Sequence, residues 1–147
     1  MTTPRQAPLQ APLRAEVTLE IPFHDVDSMG IVWHGHYLKY FEIARTALMR
    51  RAGMDLADMH ASGCAWPVVT CEVKYLRPLR YGQKIRVEAV LDDYDCRLRI
   101  SYVIRDLESG ERLTRASTMQ LPVDTATGEA RFETPAGLIA AIERARA

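Results

Sequence analysis

Two carboxylates and three of the chain's four histidines crowd into thirteen residues. The stretch reads His24-Asp25-Val26-Asp27-Ser28-Met29-Gly30-Ile31-Val32-Trp33-His34-Gly35-His36. Three chemistries fit these residue types. Asp25, Asp27 or Ser28 can satisfy loop amides, leaving the histidines as surface residues. His24, Asp25, Asp27, His34 and His36 carry the donor atoms of a metal site. However, His34 and His36 are two apart, so they share a face of a strand and splay on a helix. The third chemistry is acyl transfer, in which a charged carboxylate works beside backbone N–H groups.

The residues just after the cluster give the third chemistry its physical basis. Tyr37, Tyr40, Phe41, Ala44 and Leu48 recur at three- and four-residue steps. That spacing predicts a helix over 37–51 with one apolar face. Arg50 and Arg51 suit the negative end of its dipole, and Gly53 suits its stop. The cluster therefore runs into a helix N-terminus. The first N–H groups of a helix lack partners within it and carry partial positive charge. They can polarise a carbonyl, and a carboxylate just upstream can be aimed at the same carbon. Glu42, on the helix itself, is a rival carboxylate; an ion pair with Arg45 three residues on is its simpler role.

The rest of the chain reads mainly as strands. Val17, Leu19 and Ile21 alternate, and Pro22 ends that run. A short helical turn is expected near 55–60. Strands are expected over 67–76, 83–91, 97–107 and 112–121, with a hairpin turn at Glu108-Ser109-Gly110. Thr134-Pro135 offers an N-cap and a first-turn proline for a closing helix over 136–146. A strand, a long helix and four further strands indicate an α+β domain, with the helix packed across an antiparallel sheet. A partner subunit is a common way to cover the sheet's other face.

Composition narrows the function. The chain has 147 residues, 48% hydrophobic and 26% charged, with a formal net charge of +0. One globular domain fits that length, and no bulk charge is available to grip nucleic acid. No apolar run approaches the roughly 20 residues that cross a bilayer. Residues 1–13, rich in proline, are expected to form a flexible arm with no secretory h-region, and 14–147 a single domain. Cys64, Cys71 and Cys96 lack metal or redox spacing. Free thiols in the reducing cytoplasm are the natural expectation.

The stretch Asp25–Tyr37, followed by Phe41-Glu42 and Ala44-Arg45, resembles the signature of the 4-hydroxybenzoyl-CoA thioesterase family. That signature is an aspartate, a glycine three later, a histidine or tyrosine seven later, a tyrosine ten later, then Glu-x-x-Arg. The matching positions are Asp27, Gly30, His34, Tyr37, Glu42 and Arg45. A second block, Val68–Gly82, is similar to the family's second strand and its exit turn. The resemblance covers about residues 15–123. It is nearest to the acyl-CoA thioesterases associated with the bacterial Tol-Pal system, with which His34 agrees. That subgroup often has a tyrosine four residues before the aspartate; this chain has Phe23, without the hydroxyl.

The resemblance implies a hot-dog fold, a curved antiparallel sheet wrapped around a central helix. It implies a homodimer or a dimer of dimers, with active sites between subunits, and an acyl-CoA substrate. Asp27 would be the catalytic nucleophile or general base, and His34 would orient either Asp27 or the thioester. The N–H groups of His34 and Gly35 would hold the oxyanion. Trp33, Tyr37, Val69, Thr70 and Arg80 would contact substrate, and Lys74, Arg77 and Arg86 are further partners for the phosphates of CoA. No metal and no cofactor are expected. The alternative is a hot-dog protein that binds acyl-CoA or acyl carrier protein without hydrolysing it.

Overall fold

The computed structural model describes residues 11–147. Most of the expected N-terminal arm lies outside the described residues; Leu13, counted with that arm, is buried. Strand β1 (Arg14–Glu20) turns Ala15, Val17 and Leu19 toward the core. The connection after it carries 3-10 turns at Phe23–Asp25 and His34–His36. Helix α1 (Tyr37–Arg51) starts directly after the second turn. It occupies the span that its apolar spacing predicts, and buries Tyr37, Tyr40, Phe41, Ala44, Leu48 and Met49.

Helix α2 (Leu56–Ser62) is capped reciprocally by Asp55 and Asp58, which satisfies N–H groups that would otherwise be orphaned. Then come β2 (Cys64–Ala65), β3 (Val68–Tyr75), β4 (Lys84–Asp93), β5 (Leu98–Asp106), β6 (Arg112–Gln120) and β7 (Val123–Asp124). Helix α3 (Ala136–Arg146) closes the chain and buries Leu138 and Ile142. Its start differs from expectation. Pro135, not Thr134, holds the cap position. The Thr134 hydroxyl instead donates to the Tyr94 carbonyl at 2.6 Å.

The main sheet runs β1-β4-β5-β6-β3, antiparallel at every junction. β4, β5 and β6 lie side by side in chain order. β3 instead crosses to the far edge and pairs with β6, while the two-residue β2 and β7 form a separate ribbon. Alternation sets the inner face. Ile85, Val87, Ala89 and Leu91 of β4 are buried, as are Leu98, Ile100, Tyr102 and Ile104 of β5. α1 lies against this face, with the Phe41 and Tyr102 rings 4.9 Å apart. This is the expected α+β hot-dog arrangement.

One edge is unusual. Every residue of β3 except the half-buried Val73 is exposed. A strand against a core should bury alternate residues. β3 does not, so both its inner face and its free backbone edge stand open.

Candidate active site

The segment between β1 and α1 is a tight hairpin pinned at several points. Val26 bridges to Val32. The Asp27 N–H donates to the Ile31 carbonyl at 2.9 Å, and the Gly30 N–H to the Asp27 carbonyl at 3.0 Å. Gly30 sits at φ +78°, a conformation that favours glycine. The Met29 N–H donates to Asp27 Oδ1 at 2.8 Å. Asp27 is thus half-buried at the head of the turn, with one carboxylate oxygen engaged by the turn.

The hairpin's second arm feeds the helix. Neither Trp33, which caps the 3-10 turn, nor His36, which caps α1, makes a side-chain capping bond. No side chain therefore closes this N-terminus at its caps. The Trp33 indole lies over Gly35: a Cβ there would come 2.3 Å from the ring. Glycine is needed at 35 for this close approach rather than for a turn. The His34 ring stands 5.0 Å from Trp33 and 6.4 Å from Tyr75, by centroids. Its carbonyl accepts a 2.8 Å bond from the Tyr75 hydroxyl, which brings the end of β3 to the helix start. No bond joins the Asp27 and His34 side chains among the described residues.

Asp25 anchors the assembly, a role that the sequence did not single out. It is 1% exposed. Lys39 donates to it at 2.7 Å and the Tyr40 hydroxyl at 2.6 Å. His36 Nδ1 lies 3.9 Å and His24 Nε2 3.7 Å away. The Trp33 N–H donates to its carbonyl at 3.1 Å. Burial alone would raise its carboxyl pKa. The bonds from Lys39 and Tyr40, with the charges of Lys39 and His36, outweigh burial and hold it below the ordinary value. Burial and the same contact push the Tyr40 phenol well up. Among the described residues no group of three or more His, Cys, Asp or Glu side chains is arranged to hold a metal ion.

The other expected site residues fall on both sides of this assembly. Tyr37 is buried, its ring 4.7 Å from Tyr75, and burial raises its phenol. Val69 and Thr70 are exposed on β3 at a break in its pairing register with β6. Arg80 pairs with Ile31 across the base of the Asp27 hairpin. Of the other basic residues, Arg77 meets Glu111 at 3.4 Å, and Arg86 meets Glu88 at 3.3 Å and Glu16 at 3.7 Å. Arg45 donates to the Tyr102 hydroxyl at 3.3 Å rather than pairing with Glu42. The three cysteines are free. Burial raises the Cys71 thiol, which disfavours the nucleophilic thiolate.

This geometry has two measurable outcomes. A carboxyl whose folded pKa is depressed stabilises fully above its unfolded value, about 3.9. That stability is lost as pH falls through the folded value. Wild-type protein should therefore lose urea stability more steeply on acidification below about pH 4 than Asp25→Asn, which has no proton to take up there. Gly35→Ala should expel the Trp33 indole at a cost of about 1–3 kcal/mol. Red-shifted tryptophan emission from a protein that still folds would report it; unchanged emission would contradict the packing.

A profile of the thioesterase-like superfamily matches residues 21–142. A Synechocystis protein carrying an esterase name is 33% identical over 115 residues, 78% of this chain and 69% of its own length. The betainyl-CoA thioesterase of Pseudomonas aeruginosa is 30% identical over 99 residues, 67% of this chain and 62% of its own. A DHNA-CoA thioesterase structure from Staphylococcus aureus aligns with TM-score 0.75 at 28% identity, covering 81% of this chain and 80% of that one. The two thioesterases carry different substrate names, so the likeness reaches the superfamily and not one subgroup. No described helix is long and apolar enough to cross a membrane. With its profile matched from β1's exit to α3, the chain belongs to the thioesterase-like superfamily.

Proposed function

We propose that this chain hydrolyses acyl-CoA thioesters to a free acid and CoA, with Asp27 as its catalytic carboxylate. One observation carries the reading. Asp27 heads a rigid turn whose other arm becomes a helix N-terminus without a side-chain cap. The thioester carbonyl faces that end, and the N–H groups of His34 and Gly35 stabilise the oxyanion.

Two routes use this arrangement. Asp27 attacks the carbonyl carbon, the C–S bond breaks, and water cleaves the resulting anhydride. Alternatively Asp27 takes a proton from a water that attacks the same carbon. In both, sulfur leaves as thiolate with the electron pair of the C–S bond. A thiol pKa of roughly 8.5 makes that departure easy, so no strong general acid is needed. His34 orients the thioester, Trp33 and Tyr37 shape the entrance, Val69 and Thr70 line the acyl path, and Arg80 attracts the CoA phosphates.

The active unit is a homo-oligomer, a dimer or a dimer of dimers. The open outer edge and faces of β3 support this, because an exposed edge strand beside a site favours a second copy. Light scattering should give at least twice the 16.6 kDa chain mass; a monomer with full activity would refute the pairing.

A thiol-release assay over a panel of acyl-CoA chain lengths tests the activity. Asp27→Asn should lower kcat by about 10²–10⁴-fold while the circular dichroism spectrum and Tm stay near wild type. Near-normal turnover in that variant sinks the Asp27 assignment. Tight acyl-CoA binding without thiol release in wild type would leave a binding protein instead.

A further inference from the structure

Two peptide units carry the N–H groups assigned to the oxyanion, the unit from Trp33 to His34 and the unit from His34 to Gly35. Their carbonyl ends are engaged differently. The Trp33 carbonyl accepts the His36 N–H at 3.0 Å, a bond made within the turn itself. The His34 carbonyl accepts the Tyr75 hydroxyl at 2.8 Å, from 41 residues away in the chain. The first donor is thus set by local geometry. The second lies on a peptide gripped from the edge strand β3.

The sheet fixes where that hydroxyl stands. Tyr75 ends β3 and is paired with Thr114 of β6. The next two N–H groups, of Leu76 and Arg77, both donate to the Leu113 carbonyl at 3.0 Å, which holds the strand's exit. The Tyr75 ring makes an edge contact with Tyr37, the buried first residue of α1, with centroids 4.7 Å apart and planes at 81°. A phenol is protonated at neutral pH, and desolvation raises this one further. The hydroxyl therefore remains a donor while Asp27 is charged.

The C=O and N–H of one peptide share a conjugated system. A hydrogen bond accepted at the oxygen draws density from the nitrogen and makes its N–H a stronger donor. We propose that Tyr75 is a positioning residue for thioester hydrolysis, whose hydroxyl aims the His34–Gly35 peptide and strengthens the Gly35 N–H toward the oxyanion. The proposal rests on the thioesterase reading above and deepens it. In this role Tyr75 touches no reacting atom. As the carbonyl carbon is attacked, its π electron pair moves onto oxygen, the charge meets the Gly35 N–H, and Tyr75 keeps its proton throughout. The effect grows with the charge on that oxygen, so it falls on kcat rather than on KM.

Tyr75→Phe deletes the hydroxyl and keeps the ring against Tyr37. It should lower kcat by about three- to tenfold with KM within about twofold of wild type, at an unchanged circular dichroism spectrum. The direct readout is the carbonyl stretch of a bound acyl-CoA ketone, in which a methylene replaces the thioester sulfur and the carbonyl carries an isotope label for infrared difference spectroscopy. Stronger donation to the carbonyl oxygen lowers that frequency, so the band should lie higher in Tyr75→Phe than in wild type. A tyrosine that only stiffens the strand leaves unmoved the band of a ligand it does not touch. A band at the wild-type frequency overturns the proposal even if kcat falls, as does an unchanged kcat or a loss confined to KM. Each of these failures leaves the thioesterase reading intact. Wild type that holds the ketone but cleaves no thioester sinks that reading alone, and the band in Tyr75→Phe still decides the role of Tyr75.

Discussion

A buried carboxylate stays charged only if the surrounding groups bind it, and the two that hydrogen-bond the Asp25 side chain are on the helix. The ion is 1% exposed and is held by Lys39 and Tyr40 from the first turn of α1. Its own carbonyl holds the Trp33 N–H. One residue thus ties the start of the hairpin to its end and both to the helix. An uncompensated charge at this depth is strongly destabilising, so the loop cannot drift from the helix without losing the compensation. The role proposed for Asp27 depends on that attachment, because among the described residues the hydrogen bonds of Asp27 all fall within its own turn.

The second support comes from the sheet. α1 packs against β1 and β4 and meets β5 through Phe41 and Tyr102, and Arg45 reaches the Tyr102 hydroxyl instead of a helical neighbour. Tyr75 then carries the restraint to the edge, donating to the His34 carbonyl at the point where the helix begins. The helix N-terminus is therefore held from inside by Asp25 and from the side by β3.

Local patterns were readable in the chain, and non-local ones were not. The helix over 37–51 was legible because its apolar residues keep a 3.6 period that nothing interrupts. The strands 84–93 and 98–106 were legible because Ile85, Val87, Ala89 and then Leu98, Ile100, Tyr102 alternate. The crossing of β3 to the far edge was not legible, since neighbour order in a sheet leaves no periodic trace. β2 and β7 were too short to show alternation. Asp25 was visible only as one of two carboxylates in the cluster; what separates it from Asp27 is Lys39 and Tyr40, fourteen and fifteen residues away. Thr134 carried an N-cap signal, but in the folded chain its hydroxyl donates to the Tyr94 carbonyl and Pro135 takes the cap position. The resemblance pointed to Asp27, His34 and Gly35; the Trp33 ring over Gly35 needed coordinates.

The open strand β3 also carries a code for how it can be paired. Glu72 and Lys74 lie on the same face of it, two residues apart. In an antiparallel pair of two copies, the symmetry axis decides which residues stand opposite each other. An axis through Val73 sets Glu72 against Lys74 twice, an attraction at both ends. An axis through Glu72 or through Lys74 sets like charges face to face, which is unfavourable. A one-residue slip would also exchange the two faces of the strand. Two side chains of opposite sign thus make one alignment of identical edges preferable to its neighbours.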